Sequence, residues 1–285
     1  MTDGKETADG AHGGLLSGFA ELDGILRGDL TRVSALRREG IRVSPARLSL
    51  VIVALGMVYG VCMGTFTLFR VKGPHAWQIV ASMVKVPLLF YLTLLVTLPS
   101  LYVFNALVGS RLTLKMVVRL LVASLGVMVA VLASLGPIVA FFSVSTTSYP
   151  FMLLFNVVVC AVSGILGLLF LLQTLQRLSL LDTDLSSGGR SGLARAVGDP
   201  AEREIEGPQV ADPVAPLDPL EDRVMGQHVK LVFKIWVVVF ALVGVQMGWV
   251  LRPFIGSPDL RFEWFRGRDS NFFQAVLHTV QSLFS

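Results

Sequence analysis

Acidic side chains are missing from every long apolar run of this sequence. That absence counts against a proton relay or a cation-coupled transporter, which place a carboxylate at membrane depth. Charge is scarce throughout. Only 15% of residues are charged and 53% are hydrophobic, whereas soluble domains carry about 25% charged residues. This composition excludes an ordinary soluble globular protein. It also excludes disorder over most of the length, which needs low hydrophobicity and high charge. The two cysteines, Cys62 and Cys160, both lie inside apolar runs. They read as small hydrophobes and leave no disulfide framework.

Signatures of catalysis are lacking as well. The four histidines, His12, His75, His228 and His278, form no i,i+4 pair and no HExxH, so a metal site is not expected. No glycine loop precedes a phosphate-binding lysine, and there is no GxSxG elbow, so neither an enzyme nor a cofactor is expected. The net charge of +4 reads as Lys and Arg holding a membrane face, not as a nucleic-acid footprint. Residues 1–14 are polar and Gly-rich, unlike a signal peptide.

Five long apolar stretches remain, at about 48–69, 77–108, 117–143, 151–175 and 232–251. Crossing ~30 Å of hydrocarbon takes about 20 helical residues, and each stretch is long enough. None has the even strand-turn spacing of a membrane barrel, so all read as helices. The expected fold is all-α and polytopic, with about five transmembrane helices and amphipathic interfacial helices at both termini. The expected organisation is a cytoplasmic amphipathic and basic segment (1–47), a four-helix transmembrane region (48–176) and an acidic Pro/Gly-rich cytoplasmic linker (177–228). The fifth transmembrane helix (229–252) and an aromatic amphipathic tail (253–285) complete it.

Residues 1–13 read as disordered. Leu15, Phe19, Leu22, Leu26, Leu30 and Val33 then recur at helical steps, which predicts an amphipathic helix lying in the interface with basic residues after it. Between residues 182 and 223 stand ten acidic residues, four arginines and five prolines. With the run Ser186-Ser187-Gly188-Gly189, this composition predicts a helix-free spacer. In the tail, Phe272, Phe273, Val276, Leu277, Val280 and Leu283 share helical spacing but span too little to cross. They are expected to lie at headgroup depth together with Trp264 and Phe265.

Basic residues set the orientation. Seven precede the first span, the second connection has Arg111, Lys115 and Arg119, and the third connection has none. The N-terminus is therefore expected in the cytoplasm of a bacterial inner membrane, with the tail outside. Gly56, Gly60 and Gly64 recur at steps of four in the first span. Gly126 stands in the third, Gly167 in the fourth, and Gly244 and Gly248 in the fifth. Small residues at such steps let backbones approach closely in lipid, within the chain or between subunits. Polar residues inside the spans are Lys85, Asn105, Arg119, Lys234 and Gln246. Lys85, Arg119 and Lys234 fall near span ends and are expected to snorkel. Arg252 and Pro253 end the fifth span before the aromatic tail, which either anchors at the interface or forms a lid over an outer opening.

The segments Lys85-Val86-Pro87-Leu88-Leu89 and Leu98-Pro99-Ser100-Leu101-Tyr102-Val103-Phe104-Asn105, with Trp249-Val250-Leu251-Arg252-Pro253-Phe254-Ile255-Gly256-Ser257-Pro258, resemble a group of bacterial multi-pass proteins. The overall plan resembles the Yip family of Ypt-interacting membrane proteins. The resemblance covers roughly residues 45–180 and 230–275. It implies a membrane fold and address without a catalytic activity, and for the Yip family a link to vesicle trafficking and membrane shaping. The expected function is a non-enzymatic membrane scaffold or organising subunit that associates through its glycine faces. Its expected partners are membrane lipids and a membrane protein or further copies of itself, with no nucleic acid. The competing expectation is a transport or channel component with a path between the second and third spans.

Overall fold

The computed structural model describes residues 3–28, 44–70, 76–107, 114–196, 235–255, 264–265 and 271–284. Seven helices occur among them: α1 (Asp3–Leu26), α2 (Pro45–Arg70), α3 (Ala76–Leu107), α4 (Leu114–Ser145), α5 (Tyr149–Ala196) and α7 (Phe272–Phe284), with α6 (Ile235–Val250) before the last. No strand is found among the described residues. Helices α2 to α5 each contain a stretch long and apolar enough to cross a membrane, and α6 is a shorter apolar helix. The protein is therefore an all-α, polytopic membrane protein. In hydrocarbon every backbone N–H and C=O must be satisfied within the segment, so apolar runs of this length become helices.

Helix α2 is the centre of the bundle. It packs along α3 on one side and α4 on the other, and α4 in turn packs on α5. Two buried clusters divide the interior. The first joins α1 through Leu22 and Ile25 to Leu48, Val51 and Ile52 of α2 and a run of α4 residues that includes Leu121 and Leu125. The second gathers Tyr59, Met63 and Phe66 of α2 with Val86 of α3, Leu132 and Val139 of α4, and Met152 and Val159 of α5. Ile255, from the chain beyond α6, belongs to that second cluster. The short turn between α4 and α5 is capped by Ser148, whose Oγ accepts the Phe151 N–H at 3.4 Å.

Several boundaries differ from the sequence expectation. Helix α1 begins at Asp3, not near Leu15, and stops at Leu26. Gly28, with φ 80°, ends the helix there as a glycine in the left-handed region does. The apolar residues of α1 also divide. Leu22 and Ile25 are buried against the bundle, while Leu16, Phe19 and Leu26 are exposed, so protein packing and not only lipid holds this helix. Gly18 permits the approach, because a Cβ there would lie 2.7 Å from the Arg47 carbonyl oxygen.

Helix α5 continues to Ala196, straight through Ser186-Ser187-Gly188-Gly189, where a helix-free linker was expected from 177. Each glycine costs a helix about 1 kcal/mol, but lengthening a nucleated helix is far easier than starting one. The most acidic part, residues 197–230, lies outside the described residues, as do Lys234 and residues 232–233 of the expected fifth span.

Candidate functional site: a polar face at membrane depth

Helix α6 runs antiparallel to α3. Trp236 Nε1 donates to Ser100 Oγ at 3.2 Å, a Cβ on Gly244 would sit 3.5 Å from Thr93, and one on Gly248 would sit 4.0 Å from Leu89. This register brings α6 to its end beside Lys85. Lys85 stands eight residues beyond Trp77, where the apolar stretch of α3 begins, so it is about 12 Å into the helix at 1.5 Å per residue. The backbone beyond Val250 therefore becomes irregular before it leaves the depth of the span. Such backbone is tolerated only where protein satisfies it.

Three side chains of α3 do so. Gln78, Ser82 and Lys85 fall at i, i+4 and i+7, on one face of the helix. Gln78 Nε2 donates to the carbonyls of Pro253 at 3.3 Å and Phe254 at 3.1 Å. Ser82 Oγ lies within hydrogen-bond reach of the Phe254 carbonyl and, at 2.9 Å, of the Gln78 carbonyl of its own helix, so its single proton is shared between the two. Lys85 Nζ donates to the Pro253 carbonyl at 3.2 Å and to the Trp264 carbonyl, and lies 5.1 Å from the centre of the Phe265 ring. All three donors are buried, Lys85 to 1% of its surface. The expectation that Lys85 snorkels is corrected by this geometry. The tail's carbonyls reach in to the ammonium, so its stem has no need to carry the charge outward.

The tail residues divide the work of covering this face. Pro253 is buried and Ile255 enters the second core cluster. Trp264 and Phe265 keep exposed outer surfaces while lying over Lys85. Arg252 stacks on Trp249 with its guanidinium carbon 3.8 Å from the ring centre. Its charge stands at the C-terminal end of α6, where the helix dipole favours a cation. Phe272, the first residue of α7, meets Trp249 edge-on at 6.4 Å, and α7 packs on α5. The described parts of the tail thus meet α3 at residues 253–254 and 264–265 and α5 through α7.

The expected packing glycines all face elements of the same chain. A Cβ on Gly60 would stand 2.6 Å from the Ser82 carbonyl oxygen and 2.7 Å from Met83 Cα, one on Gly56 would meet the Pro87 ring at 3.4 Å, and one on Gly64 would meet Ile79 Cα at 3.0 Å. Gly126 faces Leu22 and Leu48, and Gly167 faces Met128. The other polar positions are not drawn together. Arg119 is exposed near the start of α4, and Gln246 is exposed on α6. Asn105 lies in the last turn of α3, with its side chain outside the described residues.

Sequence reasoning passed over Gln78 and Ser82, although their spacing from Lys85 was a readable signal. It also passed over Asn156 in the fourth span. Asn156 accepts the Tyr59 hydroxyl at 3.0 Å and donates to the Met152 carbonyl at 2.9 Å, which ties α2 to α5 inside the second cluster. No group of three or more metal-ligating side chains occurs among the described residues. No protein-family model, curated protein or solved structure matches this chain.

Proposed function

We propose that this chain is a non-enzymatic integral membrane scaffold or organising subunit, set in a bacterial inner membrane with its N-terminus in the cytoplasm. The observation that carries the reading is the engagement of Gln78, Ser82 and Lys85 by the chain's own carbonyls. These polar groups at membrane depth hold the protein's own backbone in place, which is a structural use. The glycine faces likewise serve internal seams, so a lipid or membrane-protein partner meets the outward faces instead. Helix α5 offers one such stripe in Val158, Val162, Ile165 and Leu169. A resemblance to the Yip family fits an organising role of this kind.

A transport path between the second and third spans is less well supported, because α2 stands between α3 and α4 and apolar side chains fill the second cluster. The test is reconstitution of the full chain into lipid vesicles, with ion and solute flux measured beside recovery of co-purifying membrane proteins in mild detergent. The organising reading expects specific co-purification and no flux above that of empty vesicles. Saturable, protein-dependent flux would overturn it. Orientation is tested separately in intact cells, where an impermeant thiol reagent should label Ser270→Cys and miss Ser187→Cys.

A further inference from the structure

We infer that the outward face of α6 is a self-association surface, with a second copy of this chain as its occupant and Gln246 at its centre. The inference uses membrane embedding alone, so it goes beyond the organising role and does not depend on it. The register of α6 along α3 puts Gln246 level with residues 89–93, near the middle of the Trp77–Ser100 span. Gln246 is exposed, and among the described residues its amide meets no hydrogen-bond partner. Lipid tails supply none either, so a carboxamide held at this depth is costly until another polar group reaches it. Helix α6 is not free to turn the amide inward, because Gly244 and Gly248 seat its other face on α3.

One further observation and two physical arguments point to a second copy. Ile235, Val238 and Leu242 are exposed at steps of three and four on the same stripe, an apolar flank on which a like helix can pack. A carboxamide is both donor and acceptor, so two of them facing across a two-fold axis satisfy each other. Two copies inserted with the same orientation also bring Gln246 to the same depth without further adjustment, as an isologous interface requires. Interhelical amide bonds of this kind add to association in lipid.

The test uses the full-length chain carrying Cys62→Ala and Cys160→Ala, purified and reconstituted in phosphatidylcholine vesicles. Oxidation with copper phenanthroline should give disulfide-linked dimers from Leu242→Cys and none from Val58→Cys, an exposed position on α2. Energy transfer between labelled copies across a lipid-dilution series gives the association constant. Gln246→Leu should lower it roughly five- to thirtyfold, the range for an interhelical amide contact, while Gln246→Asn retains most of it. Because the residue faces outward, the melting temperature of monomeric Gln246→Leu should match the parent, which separates lost association from lost folding. Dimerisation of Gln246→Leu equal to the parent would overturn the inference. So would a chain that stays monomeric in vesicles, or one whose Leu242→Cys cross-links in native membranes only to a different protein.

Discussion

Against α2, helix α3 is held by side chains that are missing; against the tail, it is held by side chains that are polar. At Gly60 the two helices meet backbone to backbone, with room for no Cβ. At the same level of α3, the tail is held by donors from Gln78, Ser82 and Lys85. The difference follows from what each neighbour brings. Helix α2 has satisfied its own backbone, so only dispersion at short range remains to be gained. Residues 252–255 form no regular helix, so their carbonyls need donors, and at this depth water does not supply them. Ser82 serves both contacts. Its backbone faces Gly60 and its hydroxyl faces Phe254.

Substituting each side in turn should separate the two modes. The largest effect is expected from Gly60→Leu, which forces α2 and α3 apart. Overpacking typically costs about 1–3 kcal/mol, and this site should reach the top of that range, read as a loss of thermal stability in mild detergent. Val58→Leu on the exposed face should change stability by less than about 0.5 kcal/mol. Equal behaviour of the two variants would show that the close approach does not matter.

Lys85→Leu should come next, at about 2 kcal/mol, because it removes the charged donor shared by the Pro253 and Trp264 carbonyls, and a hydrogen bond to a charged group contributes about 1.5–3 kcal/mol. Its diagnostic is local. A water-soluble thiol reagent should label Phe265→Cys faster when Lys85→Leu is also present, while the α2–α3 contact remains intact. Unchanged labelling would mean that aromatic packing alone holds residues 264–265 in place. Deleting residues 260–285 removes the Trp264 carbonyl from Lys85 and also α7 from α5, so Lys85→Leu should cost less in the truncated chain than in the full one. Ser82→Ala should be the mildest, at about 1 kcal/mol, since Gln78 still serves the Phe254 carbonyl.

Legibility differed between the spans and the site. The four long spans could be read within a few residues of their observed ends, because the need to cross hydrocarbon with a self-satisfied backbone leaves one solution for a long apolar run. The extension of α5 to Ala196 could not be read from composition. Serine and glycine weaken a helix without forbidding one that is already growing from a stable span. For Lys85, position within the run was legible but fate was not. Snorkelling and burial differ only in whether acceptors arrive from elsewhere, and here they arrive from residues 168 and 179 positions away.

By itself the sequence determined that this is a helical membrane protein, where its long spans run, and that the spans or their ends carry lysine, arginine or carboxamide side chains. Those are consequences of length and local chemistry, which every residue states for itself. Only the tertiary structure decided that the glycines of α2 close against α3, that α1 lies partly within the bundle, and that the tail turns back to engage Gln78, Ser82 and Lys85. Each of these pairs groups distant in the chain, and the free energy of such a contact belongs to the pair and not to either residue alone.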